Sequence, residues 1–226
     1  MSSHIKEPAR HRHALWVRAC HWVIALSVFA LAYSGSYILL VHPRLYWGEV
    51  GNDLTPAWLE LPLNHNHRPE GWRETATFDA LANRPISASR AYEIFNENGW
   101  ARSLHFLAAW FFVAAGAFYF ALGVVTRHAA RDLWPGRSGG YSGRQRFAYT
   151  AVAFVLLPFM ALAGLAMSPQ IIAAFPPLLD VFGGHQTART LHFFGFAALV
   201  AFVVVHLAMV ALTGFGRQMR GMIVGR

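Results

Sequence analysis

Four stretches of the chain carry no Asp, Glu, Lys or Arg: residues 19–43, 103–126, 147–179 and 190–216. Each is long enough to supply the roughly 20 apolar residues that a bilayer-crossing helix needs. A backbone in lipid must satisfy its own polar groups, so apolar runs of this length are read as helices. The pattern predicts four spans, about Leu15 to Leu40, Ala101 to Val125, Phe147 to Met167 and Ala188 to Thr213. Pro158 and Gly164 fall inside the third, and Pro158 is expected to kink it. A polar stretch, about 41–100, separates the first two spans. It holds too much Pro, Asn and Gly for a separate domain, although a short helix near Ala88 to Asn96 fits its pattern. The expected fold is an all-α membrane protein. One domain, residues 1–226, forms a four-transmembrane-helix bundle with a long extracytoplasmic loop between helices one and two.

Composition agrees with this class. Hydrophobic residues make up 55% and charged residues 13%, against about 25% charged in soluble domains. The net charge of +8 raises the question of nucleic acid, but the charges sort by loop. Lys6, Arg10, Arg12 and Arg18 precede span one, Arg127, Arg131, Arg137, Arg144 and Arg146 lie between spans two and three, and Arg217, Arg220 and Arg226 follow span four. Only Glu7 and Asp132 oppose them. The 41–100 loop and the segment before span four instead carry slightly more acids than bases. The positive-inside rule then places both termini in the cytoplasm of a bacterial inner-membrane, multi-pass protein. The partner implied by this charge is the lipid bilayer, with no nucleic acid. The first apolar run is too long for a signal-peptide core and has no small-residue cleavage site, so it is read as an uncleaved helix. Cys20 stands alone and no C-x-x-C-H occurs, which excludes a disulfide framework and covalently attached haem.

The candidate chemistry lies in the histidines. Of twelve, four fall inside spans: His21, His105, His192 and His206. An ionisable group at membrane depth is costly and by default marks function. His192 and His206 share one helix. Their 14-residue interval is close to four turns, so both leave nearly the same face about 21 Å apart along the axis. By depth, His105 levels with His192 near the outer side, and His21 with His206 near the inner side. Each pair offers two imidazoles to one iron, a use that bundle interiors support. Three of the four follow an Arg at an offset of three: Arg18-Ala-Cys-His21-Trp22, Arg102-Ser-Leu-His105-Phe106 and Arg189-Thr-Leu-His192-Phe193. That offset puts Arg on the same face one turn nearer water, where a haem propionate needs a cation. The expectation is two haem b groups, with Arg18, Arg102 and Arg189 as propionate partners.

At these residues the chain resembles the bacterial cytochrome b561 and nickel–iron hydrogenase-type di-haem cytochrome b family. The resemblance rests on Arg18-x-x-His21-Trp22-x-x-Ala25, Ser34-Gly35, Arg102-x-x-His105 and the His192/His206 pair, together with Arg131-Asp132-Leu133-Trp134-Pro135 and Pro158 through Gly164-Leu165. It implies that His21 and His206 ligate an inner haem iron, and His105 and His192 an outer one. It further implies electron transfer between the quinone pool and a partner redox enzyme subunit, with quinone as the exchangeable redox partner and no bond-making catalysis by the chain itself. The long outer loop, with His42-Pro43-Arg44-Leu45-Tyr46-Trp47-Gly48-Glu49 and Pro56-Ala57-Trp58-Leu59, looks like the cytochrome b partners of molybdopterin oxidoreductases. A periplasmic partner of molybdopterin or hydrogenase type follows as an expectation.

Three other readings compete. A stand-alone quinone-linked superoxide oxidase of the cytochrome b561 type is the alternative function. A metal transporter would gather its ligands at one depth near the midplane, whereas these split into two levels. A ferric reductase fold would put two spaced histidines on each of two helices, and only helix four has two. The aromatics Tyr46, Trp47, Trp58, Trp72, Tyr92, Phe95 and Trp100 suggest that the outer loop docks the partner. Trp100 and Trp47 are equally explained as an interfacial aromatic belt. The other motifs are weak. His65-Asn66-His67 reads as a solvated loop pair, and Tyr33, Ser34 and Ser36 read as packing groups before quinone ligands.

Overall fold

A computed structural model describes residues 14–41, 43–51, 55–61, 98–127 and 143–225. The expected helix at Ala88 to Asn96, His65, His67 and Trp72 lie outside these residues. Helix α1 (Leu15–Val41) is followed by two short strands, β1 (Arg44–Leu45) and β2 (Leu59–Glu60), and then by α2 (Asn98–Val125). The third span is built from α3 (Gly143–Ala151), a π turn (Val152–Leu156) and α4 (Leu157–Ala166). Short helices α5 (Pro169–Ala174) and α6 (Pro177–Phe182) lead to α7 (His185–Leu212), and α8 (Phe215–Ile223) follows it. Among the described residues four helices are long and apolar enough to cross a membrane: Leu15–Leu40, Gly99–Val125, Phe147–Ala166 and His185–Leu212. The expected bundle is therefore borne out, with each span within a few residues of its predicted position.

The third span deforms just before Pro158. Proline lacks the N–H that would reach back four residues, so the ladder needs another solution. Here one turn widens, and the N–H of Leu157 donates to the carbonyl of Val152, five residues back. The expected kink residue thus acts through a π turn on its N-terminal side.

Packing follows membrane rules. Buried positions are mostly small, among them Ala101, Ala108, Ala163, Ala166, Ala188 and Thr190, while Phe29, Trp110, Phe111, Phe118, Phe120 and Leu207 are exposed on the outside of the spans. Lipid tails are as apolar as Leu, so helix association relies on close approach of small residues. Gly195 shows this: a side-chain carbon there would collide with Met160 and come within 3.1 Å of Phe159.

The bundle is organised in halves. α1 packs along α2, and α4 packs along α7. Among the described residues the two halves make almost no close backbone approach to each other in mid-span. They are tied at the ends instead. At one end β1 and β2 pair antiparallel, Arg44 opposite Glu60 and Leu45 opposite Leu59. Arg44 Nε lies 3.0 Å from Glu60 Oε1 with the arginine largely buried. This clasp grips the start of α7. The N–H groups of Gln186 and Thr187 donate to the Gly48 carbonyl, Thr187 Oγ1 accepts from the Gly48 N–H at 2.7 Å, and the His185 N–H donates to Glu49 Oε2 at 2.9 Å. A carboxylate on the first N–H of a helix also suits the helix dipole. Fully buried Thr190 donates to the Tyr46 carbonyl at 2.7 Å. Trp58 meets Trp47 at a tilt (5.4 Å between centroids, planes 59° apart) and Phe194 of α7 edge-on (5.7 Å, 72°), so Trp58 packs against the span rather than on a remote loop surface.

At the other end of the bundle α8 returns to α1. Arg18 donates to the Ile223 carbonyl at 2.8 Å, and Trp22 Nε1 donates to the Met222 carbonyl at 3.1 Å. Phe215, Met219, Met222 and Ile223 fall on one side of α8, away from Arg217 and Arg220, as in helices that lie in a bilayer surface.

Thr190→Val is expected to weaken the clasp on the start of α7. It keeps the side-chain volume but removes the donor to a buried carbonyl, which costs about 1 to 3 kcal/mol. The check is thermal unfolding of the purified protein in detergent, and an unchanged melting temperature would contradict the role given to this bond.

Candidate functional site

The four span histidines come from three helices: His21 from α1, His105 from α2, His192 and His206 from α7. The fold brings them together two by two, across the seam between the halves. His105 and His192 have ring centroids 6.4 Å apart and tilted by 65°. His21 and His206 have centroids 6.4 Å apart and tilted by 54°. Direct hydrogen bonding would bring two imidazoles closer than this. One metal ion held between two ring nitrogens at about 2 Å from each puts the centroids about 6 Å apart. Both pairs match that separation. No group of three or more His, Cys, Asp or Glu side chains is poised for a metal among the described residues. The four histidines therefore form two separate pairs, each of which would offer two imidazoles to one haem iron.

The surroundings are shaped for the rings. Behind His105 stands Gly35 of α1, where a side-chain carbon would lie 3.3 Å from Cε1 and 3.7 Å from Nδ1. Behind His192 stands Gly164 of α4, with corresponding distances of 3.5 and 3.9 Å. Each of these two imidazoles thus sets its Nδ1–Cε1 edge against a helix wall relieved by glycine, which leaves Nε2 for the seam. Nδ1 of His105 is 3.0 Å from Ser34 Oγ. The Met160 carbonyl flanks His192, and Nδ1 of His206 is buried without a hydrogen-bond partner among the described residues.

Aromatic side chains surround the His21–His206 pair. Phe202 stacks on His206 at 5.7 Å with planes 17° apart, and Tyr149 of α3 meets the same ring edge-on at 6.0 Å. Trp22 stands at 89° to His21 at 5.3 Å. The three arginines differ. Arg18 is engaged by the Ile223 carbonyl, Arg102 is exposed near the start of α2, and Arg189 is half-buried on α7. Sequence reasoning treated Ser34 as packing and did not connect it to His105. Its spacing from Gly35 was the available signal, but the helix that Ser34 faces is visible only in the fold. Tyr149 and Phe202 were missed because aromatic residues on apolar helices carry no distinctive pattern.

A four-span bundle with paired intramembrane histidines defines a membrane cytochrome of the b type. The chain belongs to the prokaryotic cytochrome b561 family, whose model matches residues 12–225. It is similar to a subunit assigned by name to a protein-methionine-sulfoxide reductase (YedZ1) in Azospira oryzae, at 27% identity over 221 residues, covering 88% of this chain and 90% of that one. No solved structure matches the chain at a significant level. As a member of this family it is an integral membrane haem b protein of electron transfer.

Gly35→Val is expected to push a branched side chain into the space of the His105 ring. The purified protein should then carry less haem b per chain than the parent, measured by pyridine haemochrome. Undiminished haem content would show that the ring has room to move.

Proposed function

We propose that the chain carries electrons across the membrane between quinone and a redox enzyme on its outer face, through two haem b groups. The observation that supports this most is the pair of bis-histidine seams at equal 6.4 Å separation, one toward each end of α7. In this reading His105 and His192 hold the outer iron, and His21 and His206 the inner iron. Haem b, when bound, supplies a one-electron iron couple. The protein's own part would be to hold each iron with two imidazoles, keep water from the seam and set the two sites about 21 Å apart along α7. Arg102 and Arg189, one turn along their helices from His105 and His192, would offer cations to the outer propionates. Arg18 stands in the same relation to His21 but shares its guanidinium with the Ile223 carbonyl.

Orientation follows the charges: the basic segments around α1, α3 and α8 face the cytoplasm of an inner membrane, and the clasp faces the periplasm. The similar Azospira chain is named as a subunit of a reductase. This favours an electron-transfer subunit over a stand-alone superoxide oxidase. A molybdopterin-type enzyme is the partner class proposed here, docking on the outer loop beyond β2.

Acid–acetone extraction should release about two b-type haems per chain, and a folded preparation with one haem or none would refute the di-haem arrangement. His206→Ala is expected to remove one component of a redox titration and His105→Ala the other. If His21→Ala and His105→Ala abolished the same component, the pairing would be wrong. Removing residues 62–84 spares the clasp, and should leave both haems bound while slowing electron exchange with the partner at least tenfold. Full-rate exchange would move the docking surface elsewhere.

A further inference from the structure

We infer that Ser34 is a positioning residue for His105, fixing its tautomer and lowering the reduction potential of the iron it ligates. The inference rests on the reading of His105 as an axial ligand.

Ser34 is fully buried on α1. A serine hydroxyl has one proton and two lone pairs. Ser34 Oγ lies 2.7 Å from the carbonyl of Ala30, which can only accept, so the hydroxyl proton goes there. Toward His105 the oxygen is left as an acceptor, and the 3.0 Å contact is a bond donated by Nδ1–H. The proton on Nδ1 leaves Nε2 bare, with its lone pair available to a metal. The neighbouring Gly35 lets the ring lie close enough for this bond, its absent side chain clearing Cε1 by only 3.3 Å.

Two other serines on the same helix separate this from ordinary helix packing. Ser27 and Ser36 also donate to the carbonyl four residues back, both at 2.8 Å, and among the described residues neither oxygen meets a histidine nitrogen. The back-bond common to all three serves the helix. The contact to His105 is particular to Ser34.

A hydrogen bond accepted from the far nitrogen makes an imidazole a stronger donor to its metal, and loss of such a partner typically weakens metal holding 10- to 100-fold. A stronger donor favours the ferric over the ferrous state. Ser34→Ala should therefore shift the outer component of an optical redox titration to more positive potential. It should also speed transfer of that haem to apomyoglobin about tenfold, with the inner component unmoved. Ser34→Thr keeps the hydroxyl and should restore both values. If Ser34→Ala does not accumulate, Ser34→Cys, with its weak acceptor, carries the test and should shift potential in the same direction.

The inference is overturned if the outer potential and the transfer rate stay at parental values in the hydroxyl-free protein, or if the inner component shifts equally. His105→Ala in parallel separates the two levels of argument. If it leaves both components intact, the ligand assignment fails and this inference falls with it. If it removes the outer component while Ser34→Ala changes nothing, only the role of Ser34 is lost.

Discussion

The structure depends on one separation, the distance at which imidazoles face each other across a seam between two helix pairs. α1 with α2, and α4 with α7, are each close-packed through small residues, yet among the described residues the halves make little close backbone approach in mid-membrane. Helices in direct contact sit about 8 to 10 Å apart. The halves are joined by ties at both ends: the Gly48–Glu49 segment on the first turn of α7, and the backbone of α8 on Arg18 and Trp22. Each tie joins an element of one half to an element of the other, so the facing histidines are brought to their separation from both ends.

This arrangement explains why much of the molecule was legible in its sequence. A spanning helix announces itself through an uninterrupted apolar run, and in lipid no alternative backbone structure competes for it. The histidines were legible for the same reason: at membrane depth each one demands an explanation, and the 14-residue interval on a single helix already fixes their relative heights. The shared face of His192 and His206 is a property of helix geometry alone. That His105 and His21 oppose them came from counting depth in each span, and the ring separations agree with that count.

What was not legible depends on which face meets which. The clasp rests on backbone groups of Tyr46, Gly48 and Glu49, whose residue types do not advertise a bond to α7. The π turn in the third span arises from Pro158, but its position one turn earlier is a choice among several ways to absorb a missing N–H. Trp58 looked like a loop aromatic in search of a partner protein. Its contact with Phe194 exists because two strands of two residues each fold the loop back on the span. The helical tail was read only as basic residues, since nine residues are too few for periodicity to stand out beside four long apolar runs.

Both histidine pairs take one member from α7, which follows the other three described spans in the chain and is translated after them. The earlier spans can insert and associate as hairpins, yet neither pair is complete until residues 185–212 have followed them. With His192 near the start of α7 and His206 near its end, the His105–His192 pair can form first and the His21–His206 pair only with the later turns of the helix. A chain cut short anywhere before His192 has its apolar helices and neither pair complete, so the meeting of the histidines is a late event in synthesis.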